Sequence, residues 1–209
     1  MPAIFDRRGA PTGTECAQGA LAMVKSTDNP LMCSRSLSAI TQSTDRWWIA
    51  HTRSRMEKAL VRDLRMLGID YFLPLVRQVR YSGGRKRHRL LPLFGGYVFF
   101  AGDTQTRYRC MCTGRLCQTI DVSDQERLLG QLLAIELALT AGLCITPAVE
   151  LIAGQQCRIN GGPLQGAEGK VVRTNGRDRV LLSVDMLGQG AIVDIEADLI
   201  ERLDEALIS

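Results

Sequence analysis

Aromatic residues are scarce in this chain: two Trp, four Tyr and five Phe make up 5% of its 209 residues. Histidine is scarcer still, with two copies, which leaves little material for a His-based catalytic or metal centre. Long apolar runs are missing too. None approaches the roughly 18–20 uncharged residues that span a bilayer, and Ala20-Leu21-Ala22-Met23-Val24 is too short for a secretory signal core. The sequence therefore predicts a cytoplasmic protein with no membrane partner. Paired cysteine spacing is also absent. The seven cysteines are odd in number and irregularly spread, which suits reduced thiols rather than a disulfide framework. Cys110, Cys112 and Cys117 lack the Cys-x2-Cys knuckle of a zinc site, so no metal is expected.

What is present is ordinary in amount and uneven in placement. Hydrophobic content of 45% and charged content of 23% describe a globular protein. Net charge is only +4, yet residues 45–120 hold 15 Lys/Arg against 5 Asp/Glu, a local +10. Residues 121–150 hold 1 against 5 and residues 151–209 hold 6 against 9, giving −4 and −3. A polyanion meets the middle region first, because steering follows local potential.

Residues 1–44 show no sustained period and are rich in Ser, Thr, Gly and Pro, which predicts a disordered leader. Order begins at RWWIAHT, a run of strand length. SRMEKALVRDLRMLG follows, with Met56, Leu60, Leu64 and Leu67 on one helical face, Ser54 as a cap and Gly68 as a left-handed stop. IDYFLPLVRQVRY reads as a strand entered at Pro74, residues 82–89 (SGGRKRHR) as a basic hairpin tip, and LLPLFGGYVFFAG as the returning strand. A short helix over residues 104–112, a strand GRLCQTI and an amphipathic helix opened by a Ser123–Glu126 capping box complete an α+β sandwich over residues 45–140. Residues 141–153 read as a linker. Short strands with Gly-rich turns then predict a small all-β barrel over 154–205, with a hairpin at Asn175-Gly176.

WWIAHTRSRMEKAL, PLFGGYVFF and GQQCRINGGPLQGAEGKVV, in that order, resemble the NusG family of transcription elongation factors. The third segment is similar to the KOW motif through Gly154, Arg158, Gly162, Pro163, Gly166, Gly169 and Val171. The resemblance covers residues 46–203. It implies an NGN-type α/β sandwich, with an antiparallel sheet and packed helices, followed by an SH3-like KOW barrel. The leader and basic tip look more like the specialised RfaH-like antiterminators than the housekeeping member. The barrel shows no helical periodicity, so no refolding of it into helices is expected. The family usually carries proline at the position of Gly95.

Four of the eleven aromatics fall in PLFGGYVFF, a stretch cut by Gly95 and Gly96. Alternation puts Tyr97 and Phe99 on one face, with Val98 and Phe100 on the other. Residue by residue, Val98, Phe99 and Phe100 read as core. The resemblance implies that Phe94, Gly95 and Tyr97 line a hollow for the β′ clamp helices of RNA polymerase, bordered by one of Trp47 and Trp48 while the other is buried. Alternation does not say which. The resemblance implies that Arg85, Lys86, Arg87 and Arg89 hold phosphates of upstream or non-template DNA. Arg107 and Arg109 fall where RfaH-like proteins touch the polymerase β subunit. The resemblance also implies a KOW partner, a ribosomal protein or Rho, and a factor that acts as a monomer. GAEGKV lacks the first glycine of a phosphate loop, and no catalytic constellation is visible, so neither a nucleotide cofactor nor an enzyme is expected. The alternative is a KOW-containing RNA-binding module acting on ribosomal or structured RNA.

Overall fold

The computed structural model describes residues 29–40, 45–82, 85–148, 154–174 and 177–203; at 40, 80–82, 85–87, 174 and 177 it describes the backbone alone. A single helical turn, α1 (Leu37–Ile40), precedes β1 (Trp47–Thr52), the centre of the first sheet. Helix α2 (Glu57–Met66) follows, then β2 (Tyr71–Phe72), β3 (Leu75–Ser82), β4 (Arg85–Pro92) and β5 (Tyr97–Ala101). Helix α3 (Thr104–Cys112), β6 (Leu116–Asp121) and α4 (Gln125–Thr140) complete the first domain. The sheet is antiparallel, in the order β2-β5-β1-β6.

Both faces of β1 are covered, which is why its sequence reads as a continuous apolar run rather than an alternation. Trp47 and Ile49 share one core with Phe99 and with Leu128, Leu132 and Ile135 of α4. Trp48 and Ala50 share the opposite core with Val98, Phe100, Leu60 and Leu64 of α2, and Cys110 of α3. Each fully buried ring or branched chain contributes about 1.5–3 kcal/mol. Helix α2 stops where expected, with Gly68 at φ 68°. Its start differs from expectation: Met56 occupies the cap position without a side-chain bond, so Ser54 is not the cap. Helix α4 is capped by Asp124, which accepts from the Arg127 N–H at 3.0 Å, one residue beyond the expected Ser123.

The returning strand is two strands in two sheets. β3 and β4 form a separate two-stranded ribbon, paired from Leu75↔Pro92 out to Ser82↔Arg85. The chain then turns through residues 93–96 before β5 joins the main sheet. Arg85 to Arg89 therefore lie on a strand of the ribbon, while residues 83–84 lie outside the described residues.

Part of the expected leader is built into the domain. Residues 32–34 run along the edge strand β2, where Leu73 N–H donates to Met32 O at 2.6 Å and Ser34 N–H to Tyr71 O at 3.3 Å. Leu37 is fully buried, and its N–H donates to both oxygens of Glu136 on α4, at 3.1 and 3.2 Å. Arg35 and Ser34 both bond the Asp70 carboxylate, and the Arg35 guanidinium holds that carboxyl below its usual range. A sequence without periodicity can still pack as an extended strap, because its backbone satisfies a sheet edge. Residues 1–28 and 41–44 lie outside the described residues.

The second domain is a six-stranded antiparallel sheet: β7 (Ile145–Ala148), β8 (Gln155–Ile159), β9 (Glu168–Thr174), β10 (Arg177–Val184), β11 (Gln189–Val193) and β12 (Ile200–Arg202). The order is β12-β8-β9-β10-β11-β7. β7 begins inside the expected linker, because Ile145 to Ala148 pair with β11. Asn175-Gly176 lies outside the described residues, although the strands that flank it pair Thr174↔Arg177. Val180, Leu182 and Val184 face the main core, while Leu181 joins Val172, Ile192 and Ala148 on the other side. This all-β unit fits the small KOW-like barrel expected.

Helix α4 carries two adjacent apolar stripes, which is why it looks hydrophobic around much of its circumference. Leu128, Leu132 and Ile135 belong to the first. Ala134 and Ala138 lie on the second, in line with Arg127 and Gln131, and these two reach Asp185 of the second domain. The helix packs against β10 and the 3-10 turn Gly162–Leu164.

Candidate functional site

The turn Phe94-Gly95-Gly96-Tyr97 sits where the ribbon meets the main sheet. Phe94 is 1% exposed and makes an edge contact with Phe99 at 6.1 Å between centroids. It is tied on both sides, by Leu93 N–H to Pro74 O at 2.8 Å and Tyr97 N–H to Phe94 O at 3.3 Å. The expectation that Phe94 presents its ring to a partner differs from this conformation, in which the ring is core. Gly95 is exposed, and a Cβ there would meet nothing within 4 Å. Tyr97 is half-buried and stacks on His51 at 5.1 Å with 22° between planes. Gly96, at φ 85°, is the position that requires glycine; Gly95 does not adopt positive φ.

Both indoles are buried, Trp47 at 1% and Trp48 at 4% exposure, so neither borders an open hollow here. Alternation sends them into opposite cores, and both cores are covered by helices. Trp48 donates from Nε1 to Gly102 O at 2.9 Å, and the guanidiniums of Arg46 and Arg107 lie 5.0 and 4.8 Å from its ring centroid. Arg107 Nε donates to Thr119 at 2.6 Å, so this side chain is engaged within the domain. Arg109 is exposed and donates to Leu67 O at 3.1 Å, bridging α3 to the end of α2. Tyr108 between them is 67% exposed.

On the ribbon, Arg89 is exposed and pairs in register with Gln78, beside exposed His88 opposite Val79. The side chains of Arg85, Lys86 and Arg87 lie outside the described residues. Lys58 of α2 clamps the ribbon base, donating from Nζ to Leu90 O and to Asn29 Oδ1, both at 2.6 Å. Burial lowers its ammonium pKa.

The KOW-like positions are dispersed along the second domain. Gly162 and Pro163 sit in the 3-10 turn, with Gly162 at φ 71° and Gly166 at φ 84°. Gly169 is not a turn residue: it lies in β9, where a Cβ would come within 2.6 Å of Val180 and 2.8 Å of Leu181 O. Gly154 similarly lies against Val171 O, at 2.3 Å from a would-be Cβ. Arg158 is exposed and bonds Glu168 at 2.8 Å. A cleft of about 560 Å³ opens between α4 and this domain, with Arg127 and Lys170 against Glu168 and Asp185; charges of both signs assign it no ligand class. Among the described residues no group of His, Cys, Asp and Glu is placed to hold a metal ion. Desolvation pushes the buried Cys110 thiol up to about 12 and the half-buried Cys33 thiol up to about 11.

Sequence reasoning missed Glu57, Glu136 and Asp185. Glu57 and Glu136 look like ordinary helix-surface acids, and Asp185 like a turn residue, so no signal separates them from solvated neighbours.

The first sheet is antiparallel, flanked by helices and joined to a basic ribbon, and a small all-β unit follows it. Residues 45–124 match the family described as "Transcription termination factor nusG". The match spans well under half of the 209 residues. Two solved structures align over most of the chain. One is described as "Domain interaction in Thermotoga maritima NusG", 16% identical, covering 77% of this chain and 98% of that one, with a TM-score of 0.43. The other is the MjSpt4:Spt5 complex, conformation B, 17% identical, covering 76% and 97%, with a TM-score of 0.21. No curated protein matches the sequence.

Proposed function

We propose that this chain is a non-enzymatic transcription elongation or antitermination factor of the RfaH-like kind. Its first domain binds the β′ clamp helices of RNA polymerase at the Gly95–Tyr97 turn and raises processivity. Arg85, Lys86, Arg87 and Arg89 on the ribbon hold upstream or non-template DNA, and Arg107 and Arg109 meet the β subunit. The KOW-like domain recruits a second machine, a ribosomal protein or Rho.

The observation that carries this reading is the match of residues 45–124 to the NusG family. The geometry adds an exposed glycine beside a half-buried tyrosine, which lets a partner helix approach the backbone closely. Phe94 supports the turn from beneath, so its truncation acts through the shape of the site as well as through lost contact.

The test is fluorescence anisotropy of the purified chain with a peptide hairpin of the β′ clamp helices. Micromolar or tighter binding that changes little with salt and is lost in Tyr97→Ala is the expected result. No binding, alongside salt-steep binding to structured RNA, would transfer the assignment to the RNA-binding module.

A further inference from the structure

We propose that Glu57 is the positioning residue of the Gly95–Tyr97 turn: its carboxylate holds the Gly96 peptide, and through it the presentation of Tyr97 to the partner. This rests on the polymerase-binding reading of that turn, but the hold itself is a separate physical claim.

Glu57 is a charged group only 9% exposed, in the first turn of α2. A carboxylate is expensive to bury unless it is hydrogen-bonded. Two features offset the expense. Free N–H groups at the helix start favour negative charge there, and Oε1 accepts from the Gly96 N–H at 2.7 Å. On the other side of the same residue, Gly96 O accepts from the Thr52 N–H, also at 2.7 Å. The Gly96 backbone is thus clamped between α2 and β1.

The clamp sits where regular pairing gives out. The β1–β6 register shifts between His51 and Thr52, and β1–β5 pairing ends at His51↔Tyr97. Beyond that point individual backbone bonds, Thr52 N–H to Gly96 O and Tyr97 N–H to Phe94 O, replace regular pairing over residues 94–96, and glycine at 95 and 96 adds freedom. A turn of this composition takes a single posture when side chains reinforce those bonds. Glu57 imposes it on the backbone, and the His51 ring imposes it on Tyr97. The Cδ2 atom of His51 also lies 3.6 Å from where a Gly96 Cβ would stand, so ring and turn are packed together.

The experiment compares wild type, Glu57→Ala, Glu57→Gln and Glu57→Asp in the full chain. Amide exchange at Gly96 is read by NMR, and affinity for the β′ clamp-helix hairpin by anisotropy, at a temperature well below each melting transition. Glu57→Gln keeps an acceptor oxygen at the same reach, so Gly96 protection and affinity should stay within about threefold of wild type. Glu57→Ala and the shorter Glu57→Asp should each speed Gly96 exchange by about tenfold or more and weaken binding by a similar factor, since a bond to a charged group is lost. The aspartate variant keeps the charge, so it still decides the matter if the alanine variant does not fold. Unchanged Gly96 exchange in both Ala and Asp variants would overturn the proposal. So would faster exchange with unaltered affinity. If wild type itself fails to bind the hairpin, the polymerase reading falls, and with it the role toward that partner; the exchange data then report separately whether Glu57 holds the turn.

Discussion

The two glycines of the Phe-Gly-Gly-Tyr turn look equivalent in sequence and are not equivalent in space. Gly96 holds φ 85°, a region that costs an L-residue roughly 1–2 kcal/mol. Gly95 lies outside that region, with open space where a side chain would project. Gly96→Ala should therefore lower the stability of the chain by about 1–2 kcal/mol. Gly95→Ala should be neutral or stabilise by up to about 1 kcal/mol, because alanine reduces the freedom of the unfolded chain. Urea denaturation of both variants checks this, and equal losses would show that the strain is misassigned. Alternation correctly separated Tyr97 and Phe99 from Val98 and Phe100. It could not reveal that Phe94 is core, because residues before the turn follow the ribbon rather than the strand.

At the scale of elements, the strap of residues 29–40 is the least expected feature. Its contacts come from one buried leucine, a short stretch of edge pairing, and bonds to Asp70 and Glu136, and none of these has a periodic signature. Leu37→Ala should destabilise the chain by about 2–3 kcal/mol, at the lower end for a buried leucine because the strap can detach without global unfolding. Urea denaturation measures the loss, and faster tryptic cleavage after Arg35 should accompany it. If cleavage accelerates without any change in denaturation, the strap is docked but contributes nothing to the stability of the sheet. The ribbon makes a related point. Its basic residues were legible as a cluster, but their placement on a strand rather than in a loop followed from pairing between β3 and β4 out to Ser82↔Arg85.

For the whole molecule, α4 is the hub. It joins the strap through Glu136, the main sheet through Gln125, which bonds both N and O of Trp47, and the second domain through Arg127 and Gln131. Burial raises the Asp185 carboxyl pKa, but bonds from Gln131, Ser183 and Arg127 outweigh it, and the net shift is downward. A depressed folded pKa gives stability that is present above the unfolded value, near ~3.9, and is lost as pH falls through the folded value. The contact between α4 and the second domain should hold from neutral pH to about 5 and weaken only below about 4. Asp185→Asn should remove the ion pair at every pH and flatten that acid dependence. The contribution should stay below about 1 kcal/mol, since the pair is partly exposed. The Gln131 side-chain amide resonance, followed by NMR through the titration, reports the contact directly; a midpoint near neutral pH would rule Asp185 out as its cause.

The sequence by itself determined most of the elements, the division into an α+β domain and an all-β domain, and the concentration of positive charge in the first. These are local properties: propensity, periodicity and charge count act within a few residues of where they are read. Tertiary structure decided what faces water. Trp47 and Phe94 are covered in the core that α4 closes and Trp48 in the one that α2 and α3 close, and α3 and α4 arrive from distant parts of the chain. The same holds for Glu57, whose carboxylate acquires its role only when the Gly96 amide, 39 residues further along, is brought within 2.7 Å. Burial and hydrogen bonding between distant residues are properties of the folded chain, and no local pattern encodes them.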